Sequence, residues 1–381
     1  MNFELGEEHI ALRRLVRDFA EKEVAPIAAE VDASGQFPEG VVTKLGELGL
    51  LGLPFPEEYG GGGADELSYA ILLEELARVD CGLGLSVEAH ISLGGSPLNR
   101  WGTPEQKRRW LIPLAQGRMM GSIGLTEPEA GSDLGGISTT AALDGDEWVI
   151  NGNKCFITNA GAGSHGLVNV LTVTGQREDG RKEYSIIIVP RGTPGYEVSE
   201  PRQKLGLHSS DTRDLSFTDC RVPRENLLGE RGAGYRQALA VLDEGRFGIA
   251  ALGVGLSQAC LELSLQYARE RKQFGKPLFD FQVIQFKLAD IAINVELARL
   301  ITYKAAVLCQ EGKPYTKEAA MAKVFASEVA VRAAEEGVQI HGGYGYMSEC
   351  PLSRFYRDAK LLTIGEGTSE VQRMVIARHL P

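Results

Sequence analysis

Cysteine, histidine and tryptophan are scarce: six, six and three among 381 residues. The cysteines (Cys81, Cys155, Cys220, Cys260, Cys309, Cys350) are far apart, with no CxxC pair and no companion histidine spacing. They read as reduced structural thiols, not as a disulfide framework. The histidines form no HExxH and no dense cluster, so no metal is expected. No uncharged apolar run reaches the roughly 18–20 residues a spanning helix needs. The apolar stretch at 186–189 has only the length of a strand. The amino terminus is acidic from Glu4 onward, unlike a signal or Arg-rich transit peptide, and the expected location is cytoplasmic. Basic residues are in deficit, 40 against 51 acids, for a net charge of −11. That disfavours non-specific nucleic-acid binding, which rests on clustered Lys and Arg. An anionic small ligand stays open, because local amides and a few arginines can override net charge.

What is present is an ordinary globular mixture, 43% hydrophobic and 24% charged, long enough for two or three domains. Residues 1–120 read as helical. Ile10, Leu12, Leu15, Val16 and Phe19 recur at helical spacing, and 67–76 repeats the pattern. Thr103-Pro104-Glu105-Gln106 is a capping box with proline at the first helical position. Over 121–228 the texture turns to short β-branched runs at 148–150, 155–158, 167–174, 184–189 and 215–217. Asp144-Gly145-Asp146 and Asn151-Gly152-Asn153 punctuate them as turns. No helical stretch separates these runs, so a parallel sheet is disfavoured and an antiparallel barrel or sandwich is expected. Residues 229–381 return to long helices at 235–271, 281–310 and 317–339, with a short one after Thr368. This part reads as a C-terminal four-helix bundle, giving an α+β multidomain chain.

Four glycine-rich segments ask for chemistry. The first, from Gly161 to Gly166, has GxGxxG spacing, but a strand follows where dinucleotide binding needs a helix, so it reads as a hairpin loop. The second, 124–133, joins the helical and β regions with small residues and free amides that can approach a flat ring or a phosphate. The third, 339–346, closes a helix with a glycine-rich turn. In the fourth, Gly365-Glu366-Gly367-Thr368, an acid stands between glycines, and Thr368 or Ser369 could cap the last helix. Taken singly, these are an interdomain turn, a helix C-cap and a solvated acid. Burial would instead make Glu366 a general base.

Together with 153–158 and 271–278, the last three segments resemble the acyl-CoA dehydrogenase family, in the right order and over essentially the whole chain. The resemblance implies an N-terminal helical domain (1–120), a central β domain (121–228) and a C-terminal four-helix bundle (229–381). It also implies FAD as cofactor and conversion of acyl-CoA thioesters to trans-2-enoyl-CoA. A carboxylate takes the α-proton, and the β-hydride passes to flavin N5. The enolate oxygen is stabilised by a ribityl hydroxyl and the base's own backbone N–H. The matching base is Glu366, with Gly367 beside the thioester.

Further roles follow from the same likeness. Ile123, Gly124, Leu125, Thr126, Gly131, Ser132, Phe156, Ile157 and Thr158 would wrap the isoalloxazine. Arg271, Phe274, Gln282, Gln339, Ile340, His341, Gly342 and Gly343 would hold the adenine and pyrophosphate end, partly across a subunit boundary. Thr368, Ser369 and Glu370 would complete the FAD site. Ser132 and the stretch Asp243, Glu244, Gly245 and Arg246 would meet the CoA arm, although a buried arginine such as Arg246 also makes structural ion pairs.

One branch of the family carries its base before that arginine. The position here is Gly245, with Glu244 about 100° away around the helix, so Glu366 is retained. Phe156 and Gly365 stand where many relatives have Trp and Tyr, which leaves chain length open beyond short to medium acyl groups. The family implies a homotetramer and an electron-transferring flavoprotein as acceptor. The alternatives are an oxidase on the same scaffold, although oxidases of the family are usually much longer, and a silent acyl-CoA-binding flavoprotein.

Overall fold

The computed structural model describes residues 4–163 and 165–381. Helices dominate from Glu7 to Ala115, strands run from Met120 to Pro223, and helices return from Gly234 to Arg378. The capping box forms as read, with the Thr103 hydroxyl accepting from Gln106 N–H and Gln106 Oε1 accepting from Thr103 N–H. In the first helix, Glu7–Phe19, Val16 and Phe19 enter the core, while Ile10 and Leu15 remain exposed.

Seven strands make one sheet: β1 (Met120–Gly124), β2 (Thr140–Asp144), β3 (Glu147–Thr158), β4 (Gly166–Gln176), β5 (Lys182–Pro190), β6 (Tyr196–Val198) and β7 (Thr212–Pro223). Its backbone order is β1-β4-β2-β3-β7-β6, with β5 on β4. Most pairs are antiparallel, but β1 runs parallel to β4 from Met120/Gly166 to Gly124/Val170, and β2 meets β4 in parallel at Thr140/Val173. The expected antiparallel sheet thus carries two parallel contacts, both made by β4. A parallel pair needs a long crossover, and here residues 125–165, which include a 3-10 turn at Leu134–Gly136 and the β2–β3 hairpin, supply it with no α-helix among the described residues.

Asn151-Gly152-Asn153 is likewise not a turn. It lies inside the continuous strand β3, where the β3–β7 register shifts between Ile150 and Gly152. Gly152, at φ 142°, packs so closely that a β-carbon would stand 2.6 Å from Thr139 Oγ1. A glycine inside a strand marking a bulge is the more fitting reading. The 161–166 segment leads into a strand, β4, and not into a helix, but β3 and β4 are not paired, because β2 stands between them. The expected hairpin is therefore a crossover connection, and its Ser164 lies outside the described residues.

The run at 186–189 is apolar at every position because β5 is covered on both faces. Ile186 and Ile188 join the core shared with the helices, while Ile187 and Val189 join the core on the far side of the sheet. The helix Gly234–Glu270 is long and apolar enough to cross a membrane by composition, yet most of its apolar stretch is buried inside the protein. It is the central helix of the bundle. Gly255 lets Glu66–Ala77 approach it, since a β-carbon would stand 2.0 Å from the Glu74 carbonyl. The helices Gln282–Gln310 and Thr316–His341 pack beside it. A further helix, Pro351–Leu362, which the periodicity reading passed over, precedes the turn that carries Glu366.

Candidate active site

Glu366 lies between the helices Pro351–Leu362 and Ser369–Arg378. Its backbone is left-handed, with φ 54°, and Gly367 follows at φ 94°. A non-glycine residue persists there only where its surroundings hold it. Gln372 Nε2 donates to the carbonyls of Glu366 at 3.1 Å and Gly367 at 2.9 Å, and Lys323 Nζ donates to the Gly367 carbonyl at 2.7 Å. Thr368 caps the final helix, its hydroxyl accepting from Val371 N–H.

The Glu366 side chain turns inward. Both carboxyl oxygens are buried, and among the described residues neither meets an N–H or O–H donor. Oε2 fills the space that a side chain at Gly245 would occupy: a β-carbon there would stand 1.8 Å from it. One turn further along the same helix, Gly248 makes room for Glu88, whose Cγ would be 3.0 Å from a β-carbon. Glu88 is fully buried, accepts from Ser92 Oγ at 2.5 Å, and brings its carboxyl within hydrogen-bonding reach of Glu366. Two carboxyls in a dry space cannot both ionise, so a proton on one is the donor the other lacks.

Burial pushes the Glu366 carboxyl up to about 7. The hydrogen bond with Glu88 and the charges of Lys323 and Arg246 restrain the rise, and Glu244 adds to it. Glu88 is raised well above the carboxylate range, first by burial and then by Glu366. The shared proton therefore stays with Glu88, and Glu366 ionises near neutrality, where a general base is most useful.

The neighbouring stretch 243–246 divides. Glu244 spends its carboxylate on Arg100 (3.0 Å) and Ser96 Oγ (2.8 Å) of the N-terminal helices. Arg246 is buried and pairs with Asp243, which also accepts from Thr316 Oγ1 at 2.6 Å. The ion-pair reading of Arg246 is thus present in the structure.

The 123–126 and 156–158 segments come together through a buried ion pair. Lys154 Nζ donates to Glu127 Oε1 at 2.7 Å and to the Leu125 carbonyl at 3.1 Å, and Cys155 N–H donates to the Thr126 carbonyl. Burial opposes ionisation of Glu127, but Lys154, Thr139 and Ser138 hold it down at about 2. Phe156, at φ 60°, is 61% exposed, with the Arg202 guanidinium 5.2 Å from its ring. Gly131 and Ser132 lie exposed at the far side of the loop, and Thr158 is half-buried.

A cavity of about 570 Å³ gathers Arg271, Ile340, His341, Gly342 and Gly343. Gln339 and Gln282 are exposed outside it, and Phe274 is 93% exposed at φ 52°. Thr368, Ser369 and Glu370 line a separate cavity of about 330 Å³ with Arg332 and Lys360. The three clusters are internally close, but these two cavities share no lining residue. Sequence reasoning did not find Glu88, Lys323, Gln372 or the Glu127–Lys154 pair. The available signal was a charged residue within an apolar run, as in Leu85-Ser86-Val87-Glu88-Ala89 and Ala322-Lys323-Val324-Phe325.

Three family models match in succession: the acyl-CoA dehydrogenase N-terminal domain over residues 6–118, the middle domain over 122–220 and the C-terminal domain over 232–380. The chain belongs to the acyl-CoA dehydrogenase family. It is 54% identical over 380 residues to the probable acyl-CoA dehydrogenase YngJ of Bacillus subtilis, covering 100% of both chains. Butyryl-CoA dehydrogenase from Megasphaera elsdenii superposes with a TM-score of 0.96 at 43% identity over 99% of both chains. A chain from work on the electron transferring flavoprotein of Acidaminococcus fermentans has the same TM-score, identity and coverage.

An acyl-CoA dehydrogenase from Bacillus anthracis solved in complex with FAD has a TM-score of 0.92 at 35% identity, over 98% of this chain and 66% of that one. Prolyl acyl carrier protein oxidase AnaB reaches 0.94 at 33% identity and is covered over 99% of its length. Chain length therefore does not separate dehydrogenase from oxidase, contrary to expectation.

The enzyme is an FAD-dependent oxidoreductase of this family, and its surface fits the cofactor. Phe156 offers a largely exposed ring, with Arg202 at one face, beside an amide-rich loop. Gly131, Gly342 and Gly343 have open space where a β-carbon would point, and the buried Ser369 Oγ has no partner among the described residues.

Proposed function

We propose that this enzyme dehydrogenates a short-chain acyl-CoA thioester to the trans-2-enoyl-CoA with Glu366 as the base. One observation carries this reading: a carboxyl buried on a left-handed turn, seated against Gly245 and facing no donor among the described residues except the Glu88 carboxyl, and its burial raises its ionisation to about 7. A proton α to a thioester is weakly acidic, so the group that removes it must be both basic and fixed. Glu366 takes the α-proton onto its carboxylate. Glu88 holds its own proton and donates to that carboxylate beforehand. Gly245 and Gly248 keep the helix surface flat enough for both acids to stand beside an acyl chain.

FAD, when bound, supplies the acceptor for the β-hydride. Residues 123–126 with 156–158, Arg271 with 339–343, and 368–370 would hold it. The family likeness implies a homotetramer with FAD near a subunit boundary. Gly367 would flank the thioester, and Asp243, Arg246 and Ser132 would meet the CoA arm. The butyryl-CoA enzyme among the similar structures supports a C4 preference, and the Acidaminococcus structure supports an electron-transferring flavoprotein as acceptor.

The similarity to a carrier-protein oxidase of equal length favours one second reading, direct reduction of O₂. The test is an anaerobic flavin titration with saturated acyl-CoAs from C4 to C12, followed by reoxidation with air or with an electron-transferring flavoprotein. Bleaching strongest at C4 and fast reoxidation only by the flavoprotein are expected. Fast reoxidation by air would select the oxidase, and absence of bleaching by every thioester would overturn the proposal.

A further inference from the structure

Lys323 is fully buried, on a helix stretch whose buried neighbours are Ala319, Ala320, Ala322 and Ala326. An ammonium is among the most costly groups to place in such surroundings, and packing alone would be served by an alkyl chain. Its hydrogen bond does not go to a carboxylate. Nζ donates to the Gly367 carbonyl at 2.7 Å, the residue after the base, on the same oxygen that accepts from Gln372 Nε2 at 2.9 Å. Gln372 also takes the Glu366 carbonyl. Two side chains from two helices thus hold both carbonyls of consecutive residues at φ 54° and 94°.

We propose that Lys323 is a positioning residue for the base, clamping the Glu366–Gly367 turn together with Gln372 and setting its buried charge against the Glu366 carboxyl. The proposal rests on Glu366 being the base. The clamp matters because displacement of a reacting group by about 1 Å can cost on the order of 100-fold in rate. The charge matters because it opposes burial, which otherwise favours the protonated, inactive acid.

The other groups facing Glu366 are Glu88 from the N-terminal helices, Glu244 and Arg246 from the central helix, and the Tyr69 hydroxyl. Those facing Lys323 are Glu366, Arg246, Glu370 and Glu328. Burial lowers Lys323 to about 8, so it remains charged where Glu366 ionises.

The experiment measures kcat and KM for butyryl-CoA against pH in the holoenzyme, using an artificial electron acceptor, with flavin content as the check on folding. Lys323→Met removes donor and charge, Lys323→Gln removes the charge alone, and Gln372→Leu removes the neutral half of the clamp. Lys323→Met should lower kcat roughly tenfold or more with little change in KM, and move the acid limb of kcat/KM upward by about one pH unit. Lys323→Gln should move the limb equally with a smaller loss of kcat. Gln372→Leu should lower kcat without moving the limb. A merely structural lysine would change thermal stability and leave the limb in place.

An unmoved limb with kcat within about twofold of wild type in the Lys323 variants overturns the proposal. If both Lys323 variants fail to bind flavin, unchanged kcat in Gln372→Leu overturns it. Glu366→Gln run in parallel separates the two readings. Activity surviving there sinks the base itself, whereas a dead Glu366→Gln beside normal lysine variants sinks only the clamp.

Discussion

Gly245 is the position at which a single methyl group discriminates most sharply between catalysis and folding. It lies in the middle of the helix Gly234–Glu270, where Ala is favoured over Gly by about 1 kcal/mol. A β-carbon there would stand 1.8 Å from Glu366 Oε2, 2.6 Å from its Cδ and 3.0 Å from Oε1. Ordinary contact is about 3.5 Å, so the carboxyl must retreat by more than about 1.5 Å, and as the end of a flexible side chain it can. Gly245→Ala should therefore keep its thermal midpoint while kcat/KM for butyryl-CoA falls by about 100-fold or more. Rapid-mixing measurement of flavin bleaching, beside thermal unfolding and flavin content, reads both. A variant that folds, holds flavin and bleaches at the wild-type rate would refute the argument that Glu366 works from the place it occupies.

Two further outcomes follow from the buried charges. Glu88 holds its proton and donates to the Glu366 carboxylate, so removing the donor penalises the ionised base and raises its titration. Glu88→Leu should move the acid limb of kcat/KM from about pH 7 upward by about one unit. Glu88→Gln, which keeps an N–H donor, should leave it near its original place; a downward shift in Glu88→Leu would contradict the assignment of the proton. Lys154→Met leaves Glu127 buried and unpaired, which costs about 3–5 kcal/mol. Its thermal midpoint should drop and its FAD should be lost more readily on dilution, whereas an unchanged midpoint would show that the pair does not pin the two segments.

The helical, β, helical order was legible because 3.6-residue and two-residue periods survive in long elements, and because the Thr103 box and the Thr368 cap are local signals. The parallel β1–β4 pairing was not, since pairing partners are set by tertiary contacts and not by either strand's own pattern. Asn151-Gly152-Asn153 misled for a related reason: the same dipeptide chemistry serves a turn or a bulge, and Thr139 packing against Gly152 decides which. Glu366 was found through a motif, but its partners were not. Glu88 is remote in sequence, on a different group of helices, and only the folded chain brings its carboxyl to Glu366 across Gly245 and Gly248. Lys323 reads in sequence as one charge on an alanine-rich helix, and its orientation towards Gly367 comes from packing.

The most direct measurement compares wild type and Glu366→Gln in an anaerobic stopped-flow mixing of the flavin-loaded enzymes with butyryl-CoA at pH 8. The wild type should bleach rapidly, and the variant, folded and equally yellow, should bleach at least about 1,000-fold more slowly. Equal bleaching by both enzymes would contradict the assignment of Glu366 as the base.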